Sequence, residues 1–153
     1  EKAEPEMDCC VYRVDAKSGF ITRVADDFVK PNGLAFTPDE KSLYIADTGA
    51  SHMADGPKHI RKFAVSQDGR LSGGAVFAQC TSGFFDGFRI DRDGRIWSSS
   101  AEGVHCYDPD GTLIGKVHIP ELVSNLAFGG TKRNRLFITA NQSLYAVYVA
   151  VNG

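Results

Sequence analysis

The sequence predicts an all-β fold made of propeller blades, on three observations. Short apolar runs alternate with turn clusters about every eight to twelve residues along all 153 residues. No stretch holds a sustained helical period. One pattern, an x-Gly-apolar or Ser-Asn-apolar entry followed by a charged turn and an apolar strand, recurs three times. The copies are Pro31-Asn32-Gly33-Leu34-Ala35-Phe36, Phe85-Asp86-Gly87-Phe88-Arg89-Ile90 and Val123-Ser124-Asn125-Leu126-Ala127-Phe128. Their returns are Leu43-Tyr44-Ile45-Ala46, Arg95-Ile96-Trp97-Ser98 and Leu136-Phe137-Ile138-Thr139. The offsets are 54 residues (Asn32 to Asp86) and 38 residues (Asp86 to Ser124). A repeat of this size holding four strands is a propeller blade.

In chain order, strands are expected at 10–14 and 20–25 around a turn at 15–19, then at 34–37, 43–47, 60–65 and 74–78. The next blade is expected at 87–91, 95–99, 103–107 and 113–119, and the last strands at 125–129, 136–139 and 143–149. Asp-Gly turns join them because glycine tolerates left-handed backbone geometry. The longer first offset is assigned to an insertion, Gly49 to Lys58, expected as a surface loop. This yields a half-blade, two whole blades and a three-stranded blade. Residues 1–153 are therefore expected to be the C-terminal part of one propeller domain, with N-terminal blades absent. A second chain completing the ring is one expectation that follows.

Composition excludes several partners. Seventeen basic against nineteen acidic residues, formally −2, offer no basic stripe for nucleic acid or a membrane surface. No apolar run approaches the ~20 residues of a spanning helix. Four cysteines, Cys9, Cys10, Cys80 and Cys106, show no CxxC or zinc spacing and are read as free thiols of a reducing, cytoplasmic compartment.

In a propeller the innermost strands line the central channel, so residues at their starts converge on its mouth. Asn32, Asp86 and Ser124 hold that place in three blades. An amide, a carboxylate and a hydroxyl suit a hard cation such as Ca²⁺ or Mg²⁺. Asn-Gly and Asp-Gly are also ordinary turn dipeptides, and both readings stand at this point. Thr48 and His52, after the second strand of their blade and in the insertion, are further mouth candidates. His105, His118 and Trp97 are expected to pack. Ser98-Ser99-Ser100 is read as a strand end, since no nucleophile elbow surrounds it. Arg133 and Arg135 are expected to be solvated, and Asp15, Asp68, Asp93 and Asp110 are read as turn acids.

The stretches KPNGLAFTPDEKSLYIADTG (30–49), DGFRIDRDGRIWSSSAEGVHCYDPDGTLIGKVHIPE (86–121) and NLAFGGTKRNRLFITANQSLYAVYV (125–149) resemble the gluconolactonase family, also named for senescence marker protein (regucalcin) and luciferin-regenerating enzyme. The resemblance implies a six-bladed propeller of which this chain supplies about three and a half blades. It implies hydrolysis of a sugar lactone by water, with one divalent cation: Ca²⁺ first, with Zn²⁺, Mg²⁺ or Mn²⁺ as alternatives. It makes Asn32 a metal ligand and Asp86 both a metal ligand and the general base. The family's opening-blade glutamate, and an asparagine before the PNG motif, have no counterpart in this sequence, and Glu1, Glu4 and Glu6 cannot be matched to that glutamate. The chain alone is therefore expected to carry half a site and to be nearly inactive. A non-catalytic propeller module, or an esterase or phosphotriesterase, is the alternative.

Overall fold

A computed structural model describes residues 7–153, so Glu1, Glu4 and Glu6 lie outside the described residues. Among the described residues thirteen strands form four antiparallel sheets. Strands β1 (Val11–Val14) and β2 (Ile21–Ala25) make a two-stranded half-blade. Strands β3 (Pro31–Phe36), β4 (Ser42–Asp47), β5 (His59–Val65) and β6 (Leu71–Gln79) make a four-stranded blade. A second such blade holds β7 (Phe88–Ile90), β8 (Ile96–Ser100), β9 (Gly103–Tyr107) and β10 (Leu113–His118). The last sheet holds β11 (Val123–Gly129), β12 (Arg135–Ala140) and β13 (Leu144–Tyr148). The expected half, two whole and three-stranded blades are all present.

The blades are held face to face by three hydrophobic cores, and strand alternation explains how. Successive side chains of a strand point to opposite faces. On β4, Tyr44 and Ala46 enter the core shared with Phe85, Phe88, Ile96 and Tyr107 of the next blade. Leu43 and Ile45 enter the core shared with Val11 and Phe28 of the half-blade side. That is why β4 reads as an unbroken apolar run: both of its faces are covered. The third core joins Val104 to Val123, Leu126, Leu136 and Ile138. On the innermost strand β3, Leu34 and Phe36 remain 46% and 49% exposed, where the half-blade has no inner strands among the described residues.

Two sequence expectations need correction. His118 does not pack; it is exposed at the end of β10. Arg135 is not solvated; it is half-buried, with its guanidinium over the Phe137 ring at 5.0 Å and the Tyr148 ring at 5.5 Å. His105 does pack, fully buried, between Glu102 Oε1 (2.7 Å) and the Tyr107 hydroxyl (3.2 Å).

All four cysteines are free. Burial pushes the Cys106 thiol up to about 11, with the nearby Asp91 charge acting in the same direction, and burial also raises Cys80. The thiolate is the nucleophile, so both are inert at neutral pH. Iodoacetamide at pH 8, read by intact mass, is expected to modify the half-buried Cys9 and Cys10 and to spare Cys80 and Cys106 until the protein is unfolded. Equal labelling of all four in the native state would contradict this burial.

Candidate active site at the mouth of the innermost strands

The starts of β3, β7 and β11 lie side by side, and backbone hydrogen bonds between blades hold them in step. The Gly33 N–H donates to the Asp86 carbonyl at 3.0 Å. One blade further on, the Gly87 N–H donates to the Ser124 carbonyl at 2.8 Å. Asn32, Asp86 and Ser124 therefore occupy equivalent places in one row, as the repeat predicted.

The local backbone at this row departs from regular strand. The β3–β4 register shifts between Pro31 and Leu34, around Asn32-Gly33, and the β11–β12 register shifts between Val123 and Asn125, around Ser124. Asp86 precedes β7 altogether. Such irregularities re-aim side chains at strand ends and are frequent beside active sites. The repeat located these residues, but the bulges depend on cross-strand pairing and leave no signal in the sequence.

Close approach also explains the glycine. A Cβ on Gly33 would stand 2.1 Å from the Asp86 carbonyl oxygen. A Cβ on Gly87 would stand 2.2 Å from Asn125 Oδ1, the end of a side chain that can turn away. Neither glycine has a positive φ, so space alone forbids the side chain. Gly33→Ala is expected to cost about 1–3 kcal/mol and Gly87→Ala less, measured by urea unfolding of both variants. Equal costs would mean that the two blade contacts yield alike.

Two residues hold the row in place: Asp47, unnoticed in the sequence, and Ser99, read there only as part of a strand end. The Asp47 carboxylate is buried and accepts hydrogen bonds from the N–H groups of Val29 (2.9 Å), Lys30 (2.8 Å) and Gly49 (3.1 Å). It thereby fixes the chain that leads into Pro31-Asn32. Ser99, fully buried, accepts the Asp86 N–H on its hydroxyl at 2.9 Å and donates its own N–H to the Gly87 carbonyl at 3.0 Å. An acid ending an apolar strand was the available signal for Asp47; Ser99 had none beyond its place in the strand.

The acids divide into two kinds. Asp47 and Asp91 are enclosed by donors. The carboxylate of half-buried Asp86 receives a hydrogen bond from none of the described residues and is not sealed from solvent. Asn32 and Ser124 are exposed, with the Ser124 hydroxyl 3.2 Å from Thr139 Oγ1. Thr48 is buried and its hydroxyl donates to the Lys30 carbonyl at 3.2 Å. His52 is exposed in the insertion, its Nδ1 2.7 Å from the Ser51 hydroxyl. The turn acids are as expected: Asp15, for example, is held below the usual carboxylate range by hydrogen bonds from Ser18 and Lys17.

An all-oxygen donor set of carboxylate, amide and hydroxyl fits a hard cation. Among the described residues no group of three or more His, Cys, Asp or Glu is placed to hold a metal ion. Any cation at the row would rest on one anion, Asp86, beside neutral donors.

Stacked four-stranded blades whose inner-strand starts set Asn32, Asp86 and Ser124 in one backbone row define part of a β-propeller with a candidate site at its mouth. The chain belongs to the SMP-30/Gluconolactonase/LRE-like region family, whose model matches residues 1–142. It is 27% identical over 150 residues to the lactonohydrolase oryL of Aspergillus oryzae, covering 87% of this chain and 34% of that protein. A gluconolactonase structure from Xanthomonas campestris superposes with a TM-score of 0.84 at 39% identity, covering 95% of this chain and 46% of that one. The calcium-binding protein regucalcin from Agrobacterium tumefaciens superposes with a TM-score of 0.79 at 25% identity, covering 94% and 53%. The chain thus spans about a third to a half of the length of these relatives.

Proposed function

We propose that this chain is part of a metal-dependent hydrolase that opens sugar lactones by addition of water. The observation that carries the reading is the unengaged Asp86 carboxylate in register with Asn32 and Ser124 at the mouth. The lactonohydrolase and gluconolactonase relatives support the substrate class, and the calcium-binding relative supports Ca²⁺ as the ion.

Asn32 and Asp86 would hold the cation, which when bound would supply Lewis-acid polarisation of the lactone carbonyl. Asp86 orients the attacking water and takes its proton, since its carboxylate is the one acid of the row and has no competing donor. Ser124, in the row, and His52, exposed in the insertion, would contact the substrate. Thr48, its hydroxyl committed to Lys30, shapes the wall through the strand end that it pins. The free thiols support a reducing compartment, the cytoplasm. The test is calorimetric titration of the chain with Ca²⁺, paired with hydrolysis of D-glucono-1,5-lactone by the full-length protein. Ca²⁺ binding together with lactone opening supports the proposal; a full-length protein that opens no sugar lactone refutes it.

A further inference from the structure

Beside the row lies an open groove of about 580 Å³, walled on one side by the insertion 49–58 and on the other by the segment that leads into Asp86. We infer that this groove is a subsite for a glycosyl substituent, so that the lactone opened is one carrying a second sugar ring. The inference rests on the lactonase reading above and names the substrate more closely.

Phe84 lines the groove and stands two residues before Asp86, so their Cα atoms are within about 7 Å. A group attached to a lactone at Asp86 reaches the groove within the length of one sugar ring.

Both walls are built. The insertion closes on itself through hydrogen bonds from the Ala50 N–H to the Pro57 carbonyl (2.9 Å), Met53 N–H to Gly49 (2.9 Å) and Gly56 N–H to Met53 (3.0 Å). Gly56 packs so tightly that a Cβ there would lie 2.4 Å from the Gly49 carbonyl carbon. The facing wall turns at Gly83, with φ +73°, and is tied by the Ala101 N–H to the Ser82 carbonyl at 2.9 Å. A groove with preformed walls binds without first ordering them.

Chemistry selects the occupant. Lys58 and Asp55 line the groove, and neither takes part in an ion pair with a described residue. An ammonium only donates and a carboxylate only accepts. One of each favours a neutral ligand whose hydroxyls do both over an anion or a cation. The Phe84 ring, 38% exposed, offers an apolar face to the C–H side of a sugar. The volume lies within the range of sites for small organic ligands.

The test compares kcat/KM of the full-length protein on glucono-1,5-lactone and on cellobiono-1,5-lactone, the same lactone carrying a glucosyl unit. The glucosyl lactone is expected to be favoured about tenfold, and the ratio is expected to fall to about one in Phe84→Ala. A ratio of one in the unmodified protein, or a preference that survives Phe84→Ala, overturns the subsite. If neither lactone is opened, the lactonase reading fails, and calorimetry with cellobiose, which is uncharged, judges the groove alone. Binding of cellobiose that is lost in Phe84→Ala then supports the subsite; no binding by the unmodified protein overturns it.

Discussion

Replacing Asp86 with alanine is expected to lower kcat for lactone opening by about 10²- to 10⁴-fold, the range for loss of a positioned general base, and to abolish Ca²⁺ binding in a calorimetric titration. Two proposed functions rest on this one carboxylate. It is the single anion in the row Asn32, Asp86, Ser124, so without it a divalent ion bound there would face neutral donors alone. It is also the one group there able to accept a proton from water. Its oxygens hold no described hydrogen bond, so folding does not depend on them. The thermal midpoint of Asp86→Ala is therefore expected to stay within a few degrees of that of the unmodified protein. Asp86→Asn keeps the size and removes the charge, and the same losses are expected from it. Activity within tenfold of the unmodified protein in both variants would remove Asp86 from the mechanism. Heat of Ca²⁺ binding that persists in both would place the cation elsewhere.

Asp91→Ala is expected to act in the opposite sense, costing about 3–5 kcal/mol of stability, the range for breaking a buried ion pair by removing one partner. Asp91 is fully buried. Its carboxylate accepts the N–H groups of Asp93 and Arg95 (both 3.0 Å), the Arg95 Nε–H (2.9 Å) and the Trp97 indole N–H (2.9 Å). Alanine strands all four donors and leaves the Arg95 guanidinium, 23% exposed, without this partner. The donors lie in the turn between β7 and β8 and on β8 itself, so the loss spreads to the hairpin that carries Asp86 and Ser99. Urea unfolding measures it, with a lower midpoint at unchanged slope as the expected form. A loss below about 1 kcal/mol would show that water replaces the carboxylate without penalty and that the turn is held by other bonds.

These two aspartates lie five positions apart, and sequence reading separated them only in part. Asp86 stood out because it recurs in register with Asn32 and Ser124 ahead of an apolar strand. Asp91 sat next to a turn assigned to Arg92-Asp93-Gly94 and drew no notice. Its importance comes from Trp97 and Arg95 reaching back to it, and no residue type by itself announces which acid in a turn will be enclosed. Asp47 is the same case, an acid at a strand end that accepts from Val29 and Lys30, just ahead of β3, as well as from its near neighbour Gly49.

What the sequence determined by itself was the strand order, the number of blades and the row at the mouth. These follow from short-range rules: alternation fixes which side chains share a face, glycine and Asp-Gly turns set where a strand reverses, and a repeat in register brings equivalent residues to equivalent places. What only the tertiary structure decided was the condition of each polar group. The bulges at Asn32 and Ser124, the Asp47 carboxylate bound by Val29 and Lys30, the Thr48 hydroxyl committed to Lys30 and the Arg135 guanidinium stacked on Tyr148 depend on partners distant in the chain, while the donors to Asp91, from Asp93, Arg95 and Trp97, are near in sequence but reach it only once the β7–β8 hairpin has formed. Burial and hydrogen bonding are properties of a neighbourhood, and for these side chains the neighbourhood exists only after strands have paired and packed.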